Sequence, residues 1–311
     1  MSNLEANPQE SLCAAKATDG PANELLYARE VVIGTRDGTA VLRTLPNKER
    51  RMIGAWCFID HYGPTDITGK PGMSVAPHPH SGLQTVSWLV AGEVLHHDSL
   101  GNEQLIVPGQ LNLMTSGHGI SHAEQSPAQR SAILHGVQLW VALPASDREV
   151  GAHFEHHAEL PSGTYDGLTI TVLMGQLGEL ASPAKAYTPI VGAQLSAPAG
   201  TTATVPLDPE FEHGLLDLDD GKVLEYLGSG RDRLELTAER DSRWLLLGGV
   251  PFPEEIVMWW NFVGRSHDDI VQMREEWATG DRFGTVTGFD GAPLPAPPMP
   301  ATTLVPRGRT R

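Results

Sequence analysis

The chain has 311 residues, 40% of them hydrophobic, and a formal net charge of −16, which is length enough for two domains with well-filled cores. The acidic balance argues against a sequence-independent grip on nucleic acid, which needs basic surface, so no direct nucleic-acid binding is expected. Two cysteines, Cys13 and Cys57, are too few for a disulfide framework or a thiolate zinc site; with no 18-residue apolar run and no apolar leader, a cytoplasmic protein without a membrane span is expected.

In chain order, residues 1–25 are polar and mixed and read as a flexible arm. Structured chain is expected from near Val31, within a first domain over residues 26–150. The first chemically loaded segment is His78-Pro79-His80. With 13 histidines, chance supplies about 0.5 His-x-His pairs, so the surroundings must carry the argument. Thr85–Val90, the turn Ala91-Gly92 and Glu93–Leu95 read as strand, tight turn, strand. Further turns follow at Asp98–Asn102 and Pro108-Gly109, and Met114–Ser121 then delivers His122-Ala123-Glu124. Short strands punctuated by Gly and Pro point to an all-β barrel or jelly roll. If both motifs are extended, each pair projects from one strand face, because side chains alternate with period two. Neighbouring strands could then aim three imidazoles and one carboxylate at one point, a set that holds a divalent transition metal.

Strand-like alternation is clearest at Val137–Leu143, where the odd positions are apolar. Pro144 to about Thr164 is polar and reads as an inter-domain connection, so His153, His156 and His157 are expected on the surface. A second β-rich segment over 165–288 includes Leu168–Met174, Lys222–Leu227, Leu234–Thr237 and Trp244–Leu247. Ser266 then caps a short helix with Asp268 and Asp269 in its first turn, Ile270, Met273 and Trp277 on one face, and Gly280 as its stop. Residues 289–311, with Pro293, Pro295, Pro297, Pro298 and Pro300, are expected to be a disordered tail.

The stretch Pro77–Glu124 resembles the metal site of the pirin family within the cupin superfamily. The shared pattern runs H-P-H-x-G-x-x-T-V, a G-E turn, D-S-x-G-N, P-G-x-x-x-x-M-T-x-G-x-G-I and H-x-E, all present in order. The likeness extends to Gln138–Val141, Pro251–Val257 and Trp260–Val263, covering roughly residues 28–285. It implies a bicupin: two face-to-face jelly-roll β-barrels with a short C-terminal helix, the metal in the N-terminal cupin. The second cupin has no His-x-His or His-x-Glu, so no catalytic metal is expected there.

By the same resemblance, His78, His80, His122 and Glu124 are the metal ligands. Iron(II) is the first expectation, with Mn, Ni, Co, Cu or Zn also accepted by the donor set. Glu124 is in addition the candidate catalytic base. Gln84 and His118 are expected in the second shell or at the pocket mouth; Gln84, and Ser81 near it, stand where family members often carry charges. The implied activity is that of a quercetin 2,3-dioxygenase: dioxygen cleaving a flavonol, or a related enolic or phenolic compound, with release of carbon monoxide. The competing expectation is an iron-dependent redox sensor that binds a protein partner without turnover.

Overall fold

The structure, a computed structural model, describes residues 20–33 and 39–309. Every strand pair is antiparallel, so neighbours can be joined by short turns. Strands are numbered in chain order. One sheet of the first barrel runs β12 (His153–His157), β9 (Leu111–Thr115), β6 (Leu83–Ala91), β11 (Ile133–Ala142), β4 (Trp56–Asp66), β3 (Thr39–Leu45), β2 (Arg29–Ile33). A second sheet runs β5 (Ser74–His80), β10 (Ile120–Gln125), β7 (Val94–Asp98), β8 (Glu103–Ile106). Their inner faces meet: His80 of β5 lies 5.1 Å from the Trp140 ring of β11, and His96 of β7 stacks on Phe154 of β12 at 4.6 Å.

The second barrel is built on an eight-stranded sheet. Its order is β1 (Pro21–Tyr27), β19 (Val223–Gly228), β18 (Glu212–Asp217), β21 (Ser242–Gly249), β16 (Ile190–Ala197), β14 (Leu168–Leu177), β13 (Ser162–Tyr165), with β15 (Leu180–Ala181) paired to β14. A separate pair, β17 (Thr202–Pro206) and β20 (Arg233–Thr237), faces the barrel's own apolar core. The hairpin β22 (Val257–Trp259) and β23 (Phe262–Gly264) leads into α1 (His267–Thr279). No helix among the described residues is long and apolar enough to cross a membrane.

One apolar cluster joins the barrels, mixing Trp56, Val86 and Leu139 of the first with Leu173, Leu216 and Leu247 of the second. Two indoles stitch that seam. Trp56 Nε1 donates to the Val191 and Gly248 carbonyls at 3.1 and 3.2 Å, and Trp88 Nε1 to Gln194 Oε1 at 2.8 Å. The alternation of β11 is therefore not an inside-outside pattern. Odd residues such as Val137 and Leu139 pack on the seam while Gln138 and Trp140 face the lumen, and all are buried.

Three expectations need correction. The arm expected over residues 1–25 is not loose at its end: Pro21–Tyr27 pair with β19 of the second barrel, with alternate residues turned inward; residues 1–19 lie outside the described residues. The polar connection after Pro144 contains β12, which extends the first barrel's sheet along β9. The tail expected to be disordered is folded against the body. Leu304 is buried, Trp277 Nε1 donates to the Leu294 carbonyl at 2.8 Å, and Ile256 and Arg307 exchange backbone hydrogen bonds. Composition misleads here because Leu294, Met299 and Leu304, spaced between the prolines, pack on the α1 cluster. The helix itself matches its expected caps, with Ser266 accepting from the Asp269 N–H.

Candidate metal centre

β5 carries Pro77 and Pro79, which cannot donate to a ladder, and it lies at a sheet edge where prolines are tolerated. His78 sits directly opposite His122 of β10. A one-residue slip in register follows, so that Glu124 meets Val75 on one side and His96 of β7 on the other. The extended i, i+2 geometry expected for both motifs is thus what places the imidazoles together. The ligand atoms of His78, His80 and His122 lie within 4.8 Å of one another, and all three residues are buried. The Nε2 atoms of His78 and His122 are 2.7 Å apart.

Backbone carbonyls orient the rings from behind. Nδ1 of His78 is 2.8 Å from the Ala76 oxygen and Nδ1 of His80 is 3.2 Å from the Asn261 oxygen. With Nδ1–H donating, each Nε2 presents its lone pair inward, the arrangement by which neighbouring acceptors fix a ligand's tautomer. Asn261 reaches this position from the β22–β23 turn, where Trp260 holds φ +52, a left-handed conformation that bulky residues seldom adopt. Nδ1 of His122 lies 3.4 Å from Nδ1 of His96, whose Nε2 is 3.2 Å from Asp98 Oδ2.

Burial keeps these rings neutral. It pulls His78 down to about 4, and it holds His80 and His122 well below the ordinary histidine range, with repulsion from the neighbouring His78 adding to the effect. Three neutral, convergent imidazoles fit a divalent transition metal. Glu124 stands nearby, buried on the same strand as His122, but its carboxylate is not part of the mutually close trio. Its charge reaches Tyr62, whose phenol is pushed up first by burial and then by Glu124.

The two remaining candidates lie elsewhere. Gln84 donates to Thr115 Oγ1 at 2.9 Å and to the Lys185 carbonyl of the second barrel at 3.0 Å, because even positions of β6 face the seam. The His118 side chain is exposed and paired with Glu149 at 2.7 Å, while its carbonyl accepts from Ser81 and Arg282.

His96, outside the expected ligand set, also borders the trio, and its His96-x-Asp98 spacing is the same one-face signature as His-x-Glu. Trp140, which stacks on Phe58 at 4.0 Å, borders His80. His156, expected on the surface, is partly buried, its Nδ1 2.6 Å from Asn112 Oδ1.

Residues 38–141 match the Pirin family and residues 199–284 match the Pirin C-terminal cupin domain. Over 312 aligned positions the chain is 48% identical to "Putative quercetin 2,3-dioxygenase PA1205" of Pseudomonas aeruginosa, covering 95% of this chain and 98% of that one. The chain belongs to the pirin family. A pirin-like protein of Caulobacter vibrioides is 34% identical, over 76% of this chain and 88% of its own. In three dimensions this pirin superimposes on a crystal structure titled quercetin 2,3-dioxygenase from Acinetobacter baumannii with a TM-score of 0.86 and 43% identity, covering 90% of this chain and 96% of that one. The bicupin fold expected from the motifs is therefore shown.

Proposed function

We propose that this pirin is a mononuclear metal-dependent dioxygenase that cleaves a flavonol or a related enolic or phenolic compound. The observation that carries this reading is the trio of buried, neutral imidazoles converging from β5 and β10 into a lumen flanked by aromatic rings. His78, His80 and His122 would hold the ion, with Glu124 completing the set, and iron(II) is the metal proposed. When bound, the metal supplies Lewis acidity and a path for electrons between the organic substrate and dioxygen.

The chain's own residues do the rest. Glu124, a carboxylate inside a buried site, takes the proton of the acidic substrate hydroxyl. Trp140 and Phe154, beside His80 and His96 on the first barrel's inner wall, would orient a planar ring and exclude water. The names carried by the relatives from Pseudomonas aeruginosa and Acinetobacter baumannii support the same substrate class.

The test is anaerobic iron(II) loading, followed by quercetin and air, with flavonol absorbance and oxygen uptake read together. Metal-dependent loss of both, abolished by His122→Ala, is the expected result. Stoichiometric iron with neither consumed would reject flavonol cleavage. It would favour the redox-sensing regulator, to be tested by pull-down with the iron(II) and iron(III) forms.

A further inference from the structure

The wall opposite the imidazoles carries two adjacent rows of cross-strand neighbours. The row nearer the metal is Phe154, Met114, Thr85, Trp140 and Phe58, each directly opposite the next across β12, β9, β6, β11 and β4. The second row, built the same way and extended to β3, is His156, Asn112, Ser87, Gln138, Asp60 and Arg43. An unbroken polar row inside a barrel is costly unless its members are paired. Most are: His156 Nδ1 meets Asn112 Oδ1 at 2.6 Å, Ser87 donates to Gln138 at 2.9 Å, and Arg43 grips Asp60 through two bonds of 2.7 and 2.8 Å.

The indole N–H of Trp140 and the amide nitrogen of Asn112, both on this wall, have no partner among the described residues. Trp140 is 0% exposed and Asn112 3%. Trp140 borders the metal trio, its ring 5.1 Å from that of His80. Asn112 lies one row deeper and two strands away, which is roughly 10 Å across the sheet. Buried donors left over from a largely paired wall call for a partner that the described residues do not supply.

We propose that Trp140 and Asn112 are the substrate-reading donors of this site. Trp140 donates to an acceptor oxygen at the metal-facing end of a flat, polyoxygenated aromatic substrate, and Asn112 to an oxygen on its distal ring. The inference rests on the dioxygenase reading and narrows its substrate class: compounds with an oxygenated distal ring are selected over those with a bare one. A site built to donate to a substrate oxygen discriminates against the analogue lacking it, because the donor is then left buried and unpaired.

The experiment is equilibrium binding, without turnover, to protein loaded with redox-inert zinc. Two probes are titrated by flavonol absorbance: quercetin, with a dihydroxylated distal ring, and galangin, whose distal ring is bare. Wild type should prefer quercetin by about tenfold or more. Asn112→Leu should abolish that preference and leave galangin binding within about twofold. Asn112→Ala, which has neither donor nor acceptor and adds no bulk, should do the same and guards against strain in the leucine variant. Trp140→Phe, which keeps an aromatic ring, should weaken both probes alike by about tenfold. A preference that survives both Asn112 variants, or a Trp140→Phe protein that binds both probes normally, would overturn the assignment while leaving the dioxygenase reading standing. Zinc-loaded wild type that binds neither probe would overturn both.

Discussion

His80 in the first barrel and Asn261 in the hairpin before α1 are 181 residues apart, yet an Nδ1 to carbonyl contact of 3.2 Å joins them. The candidate metal centre is therefore not a property of one barrel. Its strands come from the N-terminal half, but the acceptor that orients one of its imidazoles comes from the C-terminal half. Loss of a contact of this kind typically lowers metal affinity by about 10–100-fold.

Gly82 is where this junction is most easily broken. It holds φ +75, and an added Cβ would collide with the Val263 carbonyl. In the native junction the Val263 N–H donates to the Ser81 oxygen at 3.0 Å. Gly82→Ala should cost about 2–3 kcal/mol of stability and weaken metal binding by displacing Asn261. Thermal melts with and without zinc check both effects; an unchanged zinc-induced rise in Tm would mean that the hairpin does not support the ligands.

Glu124 is buried near the imidazole trio without belonging to it, so its roles as ligand and as base can be separated. Glu124→Gln keeps the shape and removes the charge. The iron content after loading should fall only partly, while flavonol turnover should drop by about 10²–10⁴-fold. Unchanged turnover at full iron occupancy would exclude Glu124 as the base.

The proline-rich tail should behave as part of the fold. Ending the chain after Asp290 removes Leu304, whose burial alone contributes roughly 2 kcal/mol, together with the acceptors for Trp277 Nε1 and Arg274 Nε. A lower Tm and a red-shifted tryptophan emission are expected. Emission and Tm equal to those of the full chain would show the tail to be dispensable.

His213 makes the second barrel acid-sensitive. It is fully buried on β18, and burial pulls its pKa down from 6.5 to about 4. The fold holds the neutral form, so this contribution to stability is complete above pH 6.5 and is lost as the pH falls from there through about 4. Between pH 7.5 and 5, wild type should lose about 2 kcal/mol more than His213→Gln. Urea unfolding at the two pH values measures the difference; equal losses would place the acid sensitivity at other histidines.

The sequence by itself determined which imidazoles would share a strand face, and the class of fold. His-x-His and His-x-Glu are local patterns, and a strand's period of two puts such pairs on one face whatever surrounds them. The same locality made the α1 caps readable from Ser266 and Gly280. What the tertiary structure decided was direction across the sheet. Gln84 and Trp88 point to the seam and Thr85 and Ser87 to the lumen, a choice that alternation cannot make when both faces are buried. A slip in register between Trp140 and Val141 places Trp56 on the seam although Phe58, two residues on, faces the lumen. The docking of Pro21–Tyr27 and of Leu304 was likewise invisible, because composition reports how a segment would behave alone and not the apolar surface waiting for it. Asn112 and Trp140 belong to this second kind: that their donors are left unpaired appears only once every neighbour has been placed.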